Sequence, residues 1–338
     1  MGFNLIKRIG FACKTINSSG NTIPELNFKS TTVAWLNRQT QDVAVARLWE
    51  IMQHNISATR NLINCVGNWI PELRCVRLGS DMLPVYTESN WSWFWKQPDV
   101  RAYLERELAP VGELARKLDV KLSMHPGQFV VLSSIDPDIV RRSIDEFEYH
   151  TDIARWMGYG SSWHDHGFKI NVHISGRLGP AGIIHALSSL TPESRNLITI
   201  ENEENSHGLD TTLELEKHCA LVLDIHHNWV KTGEYIRPND DRVKRVIDSW
   251  RGVRPTMHYS LSREDILVGH CPNTLPNMET LLSVGHKKQK LRAHSDMMWN
   301  RAANTWALSF LDNFDIMVEA KNKNLASQAL YEQYKSLV

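Results

Sequence analysis

The sequence predicts an α/β fold: a (β/α)8 TIM barrel, a single domain over residues 1–338 with an insertion between strands seven and eight. Three observations lead there. Short apolar runs alternate with longer amphipathic stretches, the pattern of βα units around a parallel sheet. Eight such runs follow one another in order. No repeat, low-complexity tract or linker divides the chain. At roughly 150 residues per domain the length would suggest two domains, but barrels of about 250 residues plus insertions are ordinary.

The strand candidates are Lys7–Cys13, Leu73–Leu78, Val120–His125, Phe168–Ile174, Leu197–Glu201, Ala220–Ile225, Pro255–Ser260 and Asp315–Ala320. Most have Val, Ile or Leu cores, as strands covered on both faces should. Asp42–Asn64 reads as a helix, with Val45, Leu48, Trp49, Met52 and Ile56 at helical spacing. Arg101–Leu118 is another, with Pro110 expected to kink or split it. Asp136–Met157 opens on an Asp-Pro N-cap pair. Asp240–Trp250 and Leu325–Leu337 complete the helices. Ser260 to Asp315 is too long for one βα unit, so an insertion is expected there. It carries the basic stretch Lys287-Lys288-Gln289-Lys290-Leu291-Arg292, either a solvated loop or a phosphate-contacting one. The aromatic cluster Trp91-Ser92-Trp93-Phe94-Trp95 suits rim packing or a stacking surface.

Composition narrows the class. Hydrophobic residues make up 42% and charged residues 22%, which suits a globular chain with a large core. Lys+Arg and Asp+Glu both total 38, so net charge neither favours nor excludes nucleic acid. The five cysteines are scattered with no CxxC pair, which points to a reducing compartment without a disulfide framework or zinc ribbon. No long apolar run or signal-peptide core is present, and Ile6 occupies the position where a myristoylation motif needs Ser or Thr. The expectation is a soluble intracellular monomer with no membrane or protein partner, cytoplasmic and nucleoid-associated, or nuclear in a eukaryote.

The strand ends carry the chemistry. Strand three ends in His125, four in His173, five in Glu201 and six in Asp224, with His226 and His227 following; seven contains His258 and eight ends in Glu319. Barrel active sites sit at the carboxyl face, built from residues of different strands. Imidazoles and carboxylates together suit Zn, Mn and related divalent ions. One ion takes about three or four protein ligands, so this set could hold two or three ions sharing bridging carboxylates. Closely spaced ions suit in-line displacement at phosphorus. Singly, each residue has a plain reading: a hydrogen-bonded strand-end His, or a solvated Glu in ENEE. The register repeated over six successive strands favours the joint one. Alternation in an extended segment does not decide between His226 and His227, though His227 is favoured. His294, in AHSDMM, could be a surface histidine or a further ligand. A His-x-Asp pair with Asp296 would face one side if locally extended.

The motifs RIGFAC, VRLGSDMLP, LSMHPGQF, NVHISG, TIENEE, LDIHH, MHYS, AHSD and MVEAKNK occur in this order across nearly the whole chain. With them the sequence resembles the ultraviolet-damage endonucleases, which share a barrel and a three-metal site with endonuclease IV-type apurinic enzymes. HPGQ and MVEAK are the most specific pieces. The resemblance implies nicking of damaged double-stranded DNA immediately 5′ of pyrimidine dimers and (6-4) photoproducts, and cutting at abasic sites. It implies divalent ions, commonly manganese with zinc as an option, held by His125, His173, Glu201, Asp224, His227, His258, His294 and Glu319. Of these, Glu201, Asp224, Glu319 and His258 would be catalytic. Gln128 and Phe129 match a pair that probes the duplex opposite the lesion, where a planar group can stack on bases; alternatively Phe129 begins an apolar run and packs. Phe11 and Phe129 stand where the family often has Tyr, and Phe11 is assigned to the same lesion-probing group. Thr256 replaces a family lysine two residues before His258, so a carboxylated lysine cannot form there. The insertion Arg263–Arg292 is a further departure. Lys14, Arg77, Lys321 and Lys323 are candidate phosphate contacts. The alternative functions are an apurinic endonuclease without photolesion activity, a sugar isomerase on the same fold, and a damage-binding protein.

Overall fold

Eight strands form one parallel sheet in a computed structural model that describes residues 6–127 and 129–337. They are β1 Ile9–Cys13, β2 Cys75–Leu78, β3 Lys121–Met124, β4 Lys169–His173, β5 Ile198–Glu201, β6 Ala220–Val222, β7 Thr256–Tyr259 and β8 Asp315–Val318. Each lies inside a segment expected from the apolar pattern. The order is β6-β5-β4-β3-β2-β1-β8-β7. Between β6 and β7 a parallel bridge joins Asp224 and His258, and the His258 amide donates to the Leu223 carbonyl at 3.0 Å. The sheet is thus a nearly closed TIM barrel.

Helices follow the strands and cover the outside. Gln41–Gly67 buries Ala44, Leu48, Ile51, Met52, Ile56, Leu62, Ile63 and Val66, a stripe at three- and four-residue spacing that faces the barrel. Pro98–Lys117 is one helix with Pro110 inside it, so of the kink or split expected there the split does not occur. Pro110 and Arg106, whose carbonyl the missing N–H would have met, are both exposed, so water can satisfy that carbonyl. Further along, Gly112 meets the end of helix Pro137–Trp156 so closely that a Cβ there would stand 1.8 Å from the Met157 carbonyl oxygen. Asp136 caps Pro137–Trp156, as its Asp-Pro signal suggested, and Asp240 caps Asp241–Ser249. The aromatic run 91–95 is rim packing: Phe94 and Trp95 are buried, Trp95 Nε1 donates to the Pro84 carbonyl at 3.1 Å, and Trp91 Nε1 donates to Asn37 Oδ1 at 2.8 Å. Between β7 and β8 the insertion forms Met278–Ser283 and Lys288–Leu291 before helix Arg301–Leu308.

Strand alternation sorts side chains between two environments. Ile9, Phe11, Val76, Leu122, Ile170, Ile200 and Ile316 point outward into the apolar layer under the helices. The inward set is far more polar and forms tiers. At the base, Asp315 accepts from Lys121 Nζ at 2.8 Å, Arg254 Nε at 2.8 Å and the Arg8 amide at 3.0 Å. In the middle, Thr199 Oγ1 donates to Asn171 Oδ1 at 2.9 Å. Asn171 in turn donates to Glu201 at the mouth.

Asp315 is fully buried, and burial alone would raise its pKa. Lys121 and Arg254 more than offset this and hold it below its ordinary 3.8. Asp315→Ala strands two buried cations and is expected to cost about 3–5 kcal/mol at pH 7, read as a lower urea midpoint. Because the folded pKa is depressed, this contribution is present above the unfolded value. It is lost as pH falls through the folded one, so the gap between wild type and variant should shrink below pH 3.8.

Candidate metal centre

The inward register that carries Lys121, Lys169 and Asp315 at the base carries imidazoles and carboxylates at the carboxyl ends. His125 follows β3, His173 and Glu201 end β4 and β5, His258 lies in β7, and Glu319 follows β8. Glu201 is at the centre, with no exposed surface. Its Oε2 lies 3.7 Å from His125 Nε2 and 3.9 Å from His173 Nε2. Its Oε1 lies 3.0 Å from His258 Nδ1 and 3.5 Å from His227 Nδ1. Glu319 Oε1 is 3.4 Å from His258 Nδ1, and Glu319 Oε2 is 3.9 Å from His294 Nδ1. Asp224 Oδ2 is 3.8 Å from His227 Nε2. Most of these separations are long for hydrogen bonds. They approach the roughly 3–3.5 Å between two donors that share one ion at about 2.1 Å.

Two groups of three donors, His125–His173–Glu201 and Glu201–Asp224–His258, each have their ligand atoms within 4.8 Å of one another. Glu201 belongs to both, one oxygen to each side, as a bridging carboxylate would. Glu201 Oε1, Asp224 Oδ2 and His258 Nδ1 are buried and lack a hydrogen-bond partner among the described residues. Although His258 Nδ1 is 3.0 Å from Glu201 Oε1, the two are not aligned for a hydrogen bond. Orphaned buried atoms of this kind demand a partner, and a divalent cation is one that all three could share.

Neighbouring groups orient the donors. His125 Nδ1 donates to the Pro126 carbonyl at 2.6 Å and His227 Nδ1 to the Asn202 carbonyl at 3.0 Å, so each ring turns Nε2 toward the cluster. Asp224 caps helix Ile225–Thr232, its Oδ1 accepting from the His227 amide at 2.7 Å, which leaves Oδ2 for the cluster. The segment after Val222 is therefore a helix start and not the extended strand end expected. The helix separates the two imidazoles: His227 joins the cluster, while His226 stacks near Trp229 and lines a separate small cavity. Arg77 pairs with Glu319 inside the barrel.

The electrostatics match a cation site. Burial favours neutral Glu201, but His258, His173 and His125 outweigh it and hold the carboxyl well below the usual range. Burial also opposes ionisation of Glu319, which Arg77 and His258 overcome. Asp224 is pushed up to about 7 by burial, with Glu201 and Glu319 adding repulsion. Burial disfavours charged His227, yet Asp224, Glu201 and Glu204 drive it up to about 10. A carboxyl raised in this way, as Asp224 is, draws a proton, and a divalent ion would compete for the same lone pair.

A family model described as UV-endonuclease UvdE matches residues 7–337. The chain belongs to this family. A UV DNA damage endonuclease of Bacillus velezensis is 24% identical over 331 residues, covering 91% of this chain and 89% of that one. The crystal structure of SacUVDE aligns with a TM-score of 0.71 at 22% identity over 98% of both chains. Endonuclease IV from Thermus thermophilus aligns with a TM-score of 0.52 at 11% identity, over 82% of this chain and 94% of that one. At these identities the two structures speak for the barrel fold.

Against the residues suggested by the UvdE resemblance, the fold brings His125, His173, Glu201, Asp224, His227, His258, His294 and Glu319 to one mouth. Phe11 is a correction. It points outward from β1, has no exposed surface and packs near Trp69 at 5.7 Å between ring centroids, so it cannot touch DNA. Phe129 is 86% exposed beside the mouth, which rules out the packing alternative; Gln128 lies outside the described residues. Thr256 is buried one tier below His258, in register with Asp315. Of the candidate phosphate contacts, Lys14 is exposed and Lys323 half-buried, whereas Arg77 is committed to Glu319. Lys321 pairs with Asp296 at 2.9 Å, so Asp296 does not join His294 at the cluster. Sequence reasoning missed Glu204, whose Oε2 lies 3.6 Å from His227 Nε2. Its only signal was a three-residue offset from Glu201 in ENEE.

The Thr199–Asn171–Glu201 relay supports the shared carboxylate from below. Asn171→Ala should weaken Mn2+ binding by roughly 10–100-fold in calorimetric titration while the circular dichroism spectrum stays that of wild type.

Proposed function

We propose that the protein is a metal-dependent DNA repair endonuclease, one barrel domain over its length. It cuts the phosphodiester immediately 5′ of pyrimidine dimers and (6-4) photoproducts, and also at abasic sites. The observation that carries this reading is Glu201, whose two oxygens face separate histidine groups at the barrel mouth. Membership of the UV-endonuclease family supports DNA as the substrate.

Two or three divalent ions, manganese first and zinc as the alternative, would be held by His125, His173, Glu201, Asp224, His227, His258, His294 and Glu319. When bound, such ions supply Lewis-acid charge at the scissile phosphate and a nucleophile at neutral pH. The chain's own residues set the geometry. Arg77 keeps Glu319 ionised and in place, and Asn171 holds Glu201 in place from below. Asp224 and His258 are tied together by the bridge between β6 and β7. Lys323, which feels the charge of Glu319 and of neighbouring Lys14, would with Lys14 meet flanking phosphates. Damaged nucleotides cost less to unstack, and the exposed Phe129 ring can stack in the gap they leave.

The test is a nicking assay on a duplex carrying one cyclobutane dimer, with Mn2+ and with EDTA, beside undamaged and abasic duplexes. A Mn2+-dependent cut just 5′ of the dimer is expected. Cutting at the abasic site alone would replace the photolesion reading with an apurinic one, and no cutting anywhere would refute both. Glu201→Gln and Glu319→Gln should each lower nicking roughly 100-fold or more while retaining the fold. Phe129→Ala removes a stacking contact worth about 1–3 kcal/mol, so binding of the dimer duplex should weaken by the corresponding factor and binding of undamaged duplex much less.

A further inference from the structure

The insertion after β7 is anchored as a stiff arm over the mouth. Leu291 is fully buried with Trp229, Met278 and Leu281. Ser262 Oγ donates to the Leu291 carbonyl at 2.5 Å, and Ser262 bridges His294 in antiparallel fashion. Lys288 Nζ donates to the Lys231 carbonyl at 2.6 Å, in the last turn of helix Ile225–Thr232, where carbonyls lack intrahelical partners.

These anchors settle where the intervening side chains go. Lys290 and Arg292 line one wall of a pocket of about 630 Å³, and His125, His173 and His227 line it as well. Arg292 NH1 donates to Glu204 Oε1 at 3.1 Å; the Glu204 side chain is 8% exposed and that of Arg292 44%. Among the described residues no acceptor meets Arg292 Nε or NH2, or Lys290 Nζ. Some cations elsewhere on the surface, such as Arg242, Arg245 and Lys244, are paired with carboxylates. The Nε–NH2 edge of a guanidinium is a planar two-donor fork that matches two phosphate oxygens. Glu204 holds the other side of the group, and so limits its rotation, while the fork stays open.

We propose that Lys290 and Arg292 grip the phosphodiester backbone of the DNA strand entering the pocket, with Glu204 positioning the Arg292 guanidinium. This rests on the endonuclease reading above and assigns the basic insertion a part in it.

Binding of a dimer-containing duplex is measured by fluorescence anisotropy in EDTA, over a salt range of about 50–200 mM. Each phosphate contact contributes about 0.9 to the slope of log K against log salt. Lys290→Ala and Arg292→Ala should each lower the slope by about that amount and weaken binding at every salt concentration. Arg292→Lys should restore the slope but only part of the affinity, since it keeps the charge and loses the fork. Lys117→Ala, at the far end of the barrel, should match wild type. Wild-type slopes and affinities for both alanine variants would overturn the proposal, as would an equal loss of slope in Lys117→Ala. Nicking with Mn2+ is run alongside. Wild-type nicking with unchanged slopes removes only the role of the arm, whereas no nicking of any duplex by wild type removes the endonuclease reading itself.

Discussion

Glu201 is a fully buried carboxylate whose two oxygens face different groups of histidines, and the mouth of the barrel is organised around keeping it ionised. Desolvation would protonate an isolated carboxyl at this depth. Asn171 holds it from below, His258 and His173 stabilise its charge, and Glu319 with Arg77 closes the circle on the far side. The result is a pocket with several lone pairs and too few protons or cations of its own. Such a pocket could hold a divalent ion, because a multiply charged, multiply coordinated partner answers all of those lone pairs together.

The barrel makes this arrangement by simple alternation. In every strand the outward residues are apolar and build the layer under the helices, so the inward ones are free to be polar, provided that each is paired. Asp315 does this at the base with Lys121 and Arg254, and Thr199 with Asn171 in the middle. At the mouth the pairing is left incomplete. The weakest seam of the sheet, between β6 and β7, is joined by Asp224 and His258, both in the cluster. Closing the barrel and assembling the site are therefore partly the same event.

The strands and six of the donors were legible in the sequence because both depend on local pattern: a short apolar run marks a strand covered on both faces, and a His or carboxylate that ends it marks the mouth. A run such as NVHISG announces a buried strand and also says which residue ends it on the inward side. Phe11 came from the resemblance alone, and alternation within β1 corrects it: its neighbours Gly10 and Ala12 take the interior, and Phe11 belongs to the outer layer. Pro110 leaves its helix unsplit for a related reason. The proline rule concerns an unpaired carbonyl, and whether that carbonyl is solvated depends on which face of the helix meets the barrel.

The sequence by itself determined the barrel, the placing of His125, His173, Glu201, Asp224, His258 and Glu319 at the ends of successive strands, and the presence of a basic insertion. Each of these follows from local period and residue type. Tertiary structure supplied the reason for the favoured His227 over His226, since the Asp224 cap begins a helix where alternation no longer applies. It alone decided that Glu204, and not Asp296, lies against the cluster. It also brought Arg292 to Glu204, a contact spanning 88 residues of chain. No local pattern encodes such a pairing, because it depends on how the insertion packs through Leu291 onto the helix beside the mouth.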